Sequence, residues 1–301
     1  MQLDLSQKSL NVYECLASET RLKILELLSV EDLNISQLAA KLEISNAIVT
    51  RHIQKLEQAQ LVTSSKAIGK SGQQKIIQLN VDNIEIKLPK KIYSKFENRM
   101  THLKLGHYTD YSVQPTCGLA STEKIIGRLD DPKYFMDGER MDASLLWLSS
   151  GYVVYKVPNL LKKSEKPEML EISLEIASEF PGSNNVWPSD ISFYINNIKV
   201  GTWTCPGNFS DVRGFYTPNW WEDTNSQYGL LKHLRINHGS THIDGEFLSD
   251  VTIEDLGLES HHLIEIKLAV EPDAKHVGGL TLFGQGFGNH DQDINVNLYY
   301  S

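Results

Sequence analysis

The stretch SNAIVTRHIQKLEQAQLVTSSKAIGKSGQQKIIQLN, residues 45–80, decides how the first part of this chain folds. Ile48, Val49, Ile53 and Leu56 recur at helical spacing and predict a buried stripe. Asn46, Ala47, Thr50, Arg51 and Gln54 fall on the opposite face, and Ser45 stands where an N-cap belongs. Beyond residue 60 the pattern changes. LVTSS and KIIQLN read as two strands, joined by KAIGKSGQQ as a flexible tip. A helix with a polar face followed by a β-hairpin is the second half of a winged helix-turn-helix.

Working backwards supplies the first half. SETRLKILELL is a helix capped by Ser18, with Leu22, Ile24, Leu25, Leu27 and Leu28 toward a core. SQLAAKL is a shorter helix capped by Ser36, and EIS is the turn before Ser45. Asn, Gln and Arg side chains make paired hydrogen bonds to base edges, so Asn46, Thr50, Arg51 and Gln54 are the candidate readers of a major groove. Lys66, Lys70 and Lys75 stand on the hairpin, with no acid between residues 58 and 81, which suits contact with a phosphate backbone. The charge division agrees. Residues 1–91 hold 12 Lys+Arg against 10 Asp+Glu, whereas residues 92–301 hold 17 against 28. The acidic remainder would repel nucleic acid, so the first domain must do the binding.

ASETRLKILELL, ISQLAAKLEISNAIVTRHIQKLEQAQLV and the hairpin after them resemble the ArsR family of bacterial transcriptional regulators. Carried over by position, the resemblance adds Lys55 to the DNA-facing set. It implies a double-stranded operator as partner. One winged helix offers few contacts, so a homodimer on a two-fold site is expected. Two departures stand out. Metal-sensing members carry cysteines in the helix before the turn, and DLNISQLAAKL has none. The family's C-terminal dimerisation helix is missing, because IEIKLPKKIYSKF reads as extended.

After residues 89–91 the period becomes two. LEISLEIA, IEIKLAV and DINVNLYY each alternate apolar and polar residues, with turn residues between segments. The expected fold is therefore α+β in two domains. Residues 1–90 form the winged helix-turn-helix, and residues 91–301 form an antiparallel β-sandwich of jelly-roll type. From residue 106 onward, PTCGLAS, YTPNWW and GFGNHDQD also resemble the C-terminal part of a group of similarly long bacterial regulators with an ArsR-like head.

DISFYINNIKVGTW reads as a hairpin turning at Asn196-Asn197. Unbroken pairing predicts a core face of Ile191, Phe193, Ile195, Ile198, Val200 and Thr202, with Asp190 opposite Trp203 on the other face. Trp147 reads as core. Trp187, Asp190, Trp203, Asp211, Arg213, Trp220, Trp221, His276, Asn289, His290 and Asp291 are the candidate effector-binding residues. Aromatic plates beside Asp, Asn, Arg and His are what a saccharide needs, and another flat polar ligand would fit the same composition.

Catalysis is not expected. There is no G-x-S-x-G, and His238 and His242 lie in a turn where they do not converge on a metal. Neither a metal nor a cofactor is expected. Three isolated cysteines, no basic-then-apolar leader and no long apolar run imply a reduced, cytoplasmic chain that does not enter a membrane. The sequence therefore reads as an operator-binding regulator with a small-molecule effector. The alternative is that the sandwich serves mainly for oligomerisation.

Overall fold

The computed structural model describes residues 1–69, 72–81, 84–87 and 96–301. The chain divides into two compact units, Met1–Ile92 and Tyr93–Ser301.

The first unit holds helices α1 (Leu10–Leu16), α2 (Glu19–Leu28), α3 (Ile35–Leu42) and α4 (Asn46–Gln58). Its strands are β1 (Gln2–Asp4), β2 (Leu33–Asn34), β3 (Val62–Gly69), β4 (Gly72–Leu79) and β5 (Glu85–Lys87). The hairpin β3–β4 is the wing, and β2 adds a third strand to it. Ile24, Leu38, Val49, Ile53, Leu56 and Ile77 make the centre of the core. Arg21 is buried because its guanidinium donates to the Cys15 and Glu14 carbonyls at the end of α1, joining α1 to α2. β5 pairs in parallel with β1, so the segment after the wing begins extended rather than helical.

Three local expectations need correction. The cap of α3 is Asn34, not Ser36. Its side chain accepts from the Gln37 N–H while Gln37 reaches back to the Asn34 N–H, a reciprocal capping box. Leu22 is exposed, because Arg21 takes the buried position beside Ile24 and Leu28. Ile48 is 45% exposed, whereas Val49, Ile53 and Leu56 are fully buried. The helix needs only the narrower stripe.

The second unit is an antiparallel sandwich whose two sheets are stitched together at one corner. Its strands are β6 (Glu97–Leu103), β7 (Asp110–Ala120), β8 (Ile125–Ile126), β9 (Leu145–Pro158) and β10 (Pro167–Ala177). They continue with β11 (Ser189–Ile195), β12 (Ile198–Cys205), β13 (Leu230–Asn237), β14 (Thr241–Ile243) and β15 (Glu246–Ser249). The last three are β16 (Leu263–Val270), β17 (Leu280–Phe283) and β18 (Ile294–Tyr300). One sheet runs β8-β7-β9-β16-β11-β12, and the other β6-β18-β10-β13-β14-β15. The short β17 pairs with β9 on one side and β10 on the other, which gives the sandwich a nearly closed outline. Inward residues follow the period-two reading: Leu170, Ile172, Leu174 and Ile176 on β10, and Ile264, Ile266, Leu268 and Val270 on β16, all enter the main core.

The β11–β12 hairpin departs from the expected register. Asn196 and Asn197 both take positive φ, as their two-residue turn demands. Ile195 pairs with Ile198 and Tyr194 with Lys199, but Phe193 then pairs with Gly201. Val200 is the extra residue of a bulge. From there each partner moves by one, so Trp203 lies opposite Ile191 and Asp190 lies opposite Thr204. Trp203 therefore shares the core face with Ile191 and packs against the main core, and Thr202 is turned out to meet Ser192 at 2.9 Å. Gly201 is where β15 closes in: a Cβ there would stand 2.3 Å from the Leu248 side chain.

Candidate functional site

On α4, Ser45 caps the helix by accepting from the Ile48 N–H at 3.4 Å. Asn46, Thr50, Arg51, Gln54 and Lys55 are all exposed, and residues 44–56 contain no acid. The Thr50 hydroxyl donates to the Asn46 carbonyl within the helix, so it is already partnered. Of the three wing lysines, Lys75 pairs with Glu57 at 2.7 Å, both side chains partly exposed. Lys70 and the Lys66 side chain lie outside the described residues.

In the sandwich, the expected effector residues fall into separate groups. Asp190 accepts from the His276 backbone N–H at 3.0 Å and faces its ring nitrogen Nδ1 at 3.2 Å, while its other contact is the Thr204 hydroxyl. Trp187 packs edge-on against Phe180. Trp203 carries the Lys232 ammonium over its ring at 4.7 Å.

The second group forms around the adjacent tryptophans. Residues 209–227 make a loop that covers the outer face where β9, β17 and β10 meet. There Ala120, Leu145, Trp147, Ala177, Trp221, Phe283 and Phe287 form a second, smaller core. Trp221 is buried edge-on against Trp147 and Phe287, and its N–H donates to the Ser226 carbonyl. Trp220 is half-buried and donates to the Thr122 carbonyl at 2.7 Å. Neighbouring side chains point to different sides, and here one serves the small core and the other ties the loop to residues 121–124. Arg213 is spent inside the loop, on Asp223 and the Pro218 and Trp221 carbonyls. Asp211 accepts from the Tyr228 hydroxyl.

A second loop, residues 284–293, packs against the first. Asn289 accepts from the Phe215 N–H, and the Tyr216 N–H donates to the Gly288 carbonyl at 2.8 Å. Asp291 accepts from the Gly286 N–H. Beneath them Glu175 is fully buried on the outward side of β10 and accepts from the backbone N–H groups of Gly229, Asn289 and His290. Burial pushes its carboxyl up to about 7 although those amides pull the other way. Just past the end of β10, Glu179 accepts from the Thr281 hydroxyl at 2.8 Å and the Thr116 hydroxyl at 3.3 Å, and burial raises it to about 8.

The two loops leave Phe215 65% exposed and Tyr216 39% exposed, their rings edge-on at 4.8 Å, beside Asn289. Neither ring belongs to the expected effector set. Glu175 and Glu179 also lie outside that set, because in sequence both stand where an alternating strand would face solvent. Glu175 is covered by loops remote in sequence, and Glu179 meets Thr116 on β7 and Thr281 on β17.

Among the described residues no group of three or more His, Cys, Asp and Glu is set to hold a metal ion. His238 lies between Glu168 and Glu254, one on each ring nitrogen. Cys15, Cys117 and Cys205 are buried and unpaired. Among the described residues, no helix is long and apolar enough to cross a membrane.

Residues 18–64 match the family model described as bacterial regulatory protein, arsR family. The first unit carries an ArsR-family DNA-binding domain. Among solved structures the chain is similar to HlyU from Vibrio cholerae N16961, at 25% identity over 25% of this chain and 77% of that one, with a TM-score of 0.23. It is also similar to carbohydrate-binding module CBM36 in complex with calcium and xylotriose, at 12% identity over 66% of this chain and 98% of that one, with a TM-score of 0.28. A third is CBM51 from Clostridium perfringens GH95 in complex with methyl-galactose, at 11% identity, 66% and 99% coverage, and a TM-score of 0.27. No curated protein matches the chain.

Proposed function

We propose that this chain is a one-component transcriptional regulator. Its ArsR-family unit binds an operator as a homodimer, and its sandwich binds a small polar effector, a saccharide by class. The observation that carries the DNA half is the exposed, acid-free face of α4 with Asn46, Arg51, Gln54 and Lys55. The effector half is supported by the Phe215 and Tyr216 rings, which stand open beside Asn289 on two loops fastened to each other. An aromatic face open to solvent next to hydrogen-bonding groups is how proteins hold the C–H side of a sugar ring. This moves the proposed contact from Trp221 and Trp203, which pack against cores, to the rim around Phe215, Tyr216 and Trp220.

Each half has its own test. Arg51→Ala in the full chain should weaken binding to a selected DNA sequence by about 1–3 kcal/mol, measured by fluorescence anisotropy. Unchanged affinity would remove Arg51 from the interface. A panel of mono- and oligosaccharides should raise the melting temperature of the full chain for at least one member. Phe215→Ala should then lower that ligand's affinity about tenfold, or about 1.4 kcal/mol, with melting of the free protein unchanged. No shift with any sugar would discard the saccharide class.

A second reading, in which the sandwich joins subunits, has one observation in its favour. Leu129, Met136 and Met141 are 54%, 64% and 44% exposed within a single connection between β8 and β9. Sedimentation of the full chain with all three changed to Ser would show whether that surface holds copies together.

A further inference from the structure

We propose that Ile48 is a base-reading residue that recognises the C5-methyl group of a thymine in the operator. The assignment rests on the reading of α4 as the DNA-contacting helix. Ile48 is the third residue of α4, close to the end that meets base edges in helix-turn-helix proteins. It is 45% exposed, although the core stripe of Val49, Ile53 and Leu56 is complete without it. An exposed β-branched residue gives the helix nothing: alanine would be the better helix former at that place.

Its neighbours say what covers it. Ile48, Arg51 and Lys55 are spaced i, i+3 and i+7, so they line one row of the helix, and all three are exposed. Ala47 and Gln54 border that row and are exposed too, and no carboxylate occurs between residues 44 and 56. An apolar side chain flanked by two cations and an amide fits a polyanion that also offers an apolar group. The major groove of DNA does so only at the thymine methyl. Arg51 and Lys55 then supply contacts to guanine or phosphate, and Ile48 supplies the preference for an A·T pair beside them.

The experiment begins with sequences selected by the full chain from a random DNA pool. Each thymine of the selected site is replaced in turn by uracil, which lacks only the methyl group. At one position per half-site, uracil should weaken binding about fourfold, which is about 0.8 kcal/mol at 1.4 kcal/mol per tenfold. Ile48→Ala should bind thymine and uracil sites equally and melt at the wild-type temperature or slightly above it. A uracil penalty that is absent everywhere, or equally large in Ile48→Ala, overturns the assignment and leaves α4 as the DNA-contacting helix. A changed oligomeric state in Ile48→Ala also overturns it, because Ile48 would then be a subunit contact. A pool from which no sequence is enriched overturns the DNA reading itself, and the Ile48 assignment with it.

Discussion

The α4 helix and the β11–β12 hairpin both carry a clear side-chain periodicity, and the structure follows it differently in the two. In α4 the pattern holds from Val49 to Leu56, and only the end position, Ile48, stands outside the core. In the hairpin the turn lies at Asn196-Asn197 as the sequence predicts, yet every residue beyond Val200 on β12 lies on the face opposite to the expected one. The difference is one of geometry. A helix fixes each residue's direction by bonds to its own preceding turn, so an error stays local. A strand takes its direction from a partner, and one bulged residue moves every later side chain to the other face. That single residue carried Trp203 from an expected binding surface to the core.

The strongest way to test this contrast is through the tryptophans. Trp221→Ala should destabilise the sandwich by about 3–5 kcal/mol, because the ring is buried among Trp147, Phe283 and Phe287. Trp220→Ala, on the half-buried neighbour, should cost clearly less. Equal losses in urea unfolding of the two variants would mean that the loop does not separate them as described. Next in size, Trp203→Ala should cost about 2 kcal/mol, since part of its ring packs against the main core. A cost below about 0.5 kcal/mol would place Trp203 on the outer face, as unbroken pairing requires, and would remove the bulge.

The smallest effect concerns Glu175, on the outward side of β10, and Glu179, two residues past its end. Glu175 and Glu179 are held near 7 and 8 against an ordinary value of 4.5. Both therefore bind a proton in the folded state at pH values where the unfolded chain has lost it. Their contribution is complete below about pH 4.5 and is lost as pH rises through 7 and 8. The melting temperature should fall across that interval, and Glu179→Gln, which keeps one of the two acceptor oxygens and cannot ionise, should flatten the fall. A slope identical in the variant would show that Glu179 is ionised throughout.

The sequence by itself determined the order of elements, the α4 face and the main core. Those features rest on local periodicities that each segment expresses alone: Val49, Ile53 and Leu56 at helical spacing, and Leu170 to Ile176 at spacing two. Tertiary structure alone decided what lies over the outward side of β10. Glu171, Ser173 and Glu175 alternate with apolar residues just as solvent-facing positions would, yet all three are buried. Loops from residues 209–227 and 284–293 meet over Glu175, and Trp221 descends between them onto Trp147. No local pattern encodes a meeting of segments more than fifty residues apart in the chain. It depends on where β17 stitches the two sheets together, and that fixes which aromatic residues are covered and which remain exposed.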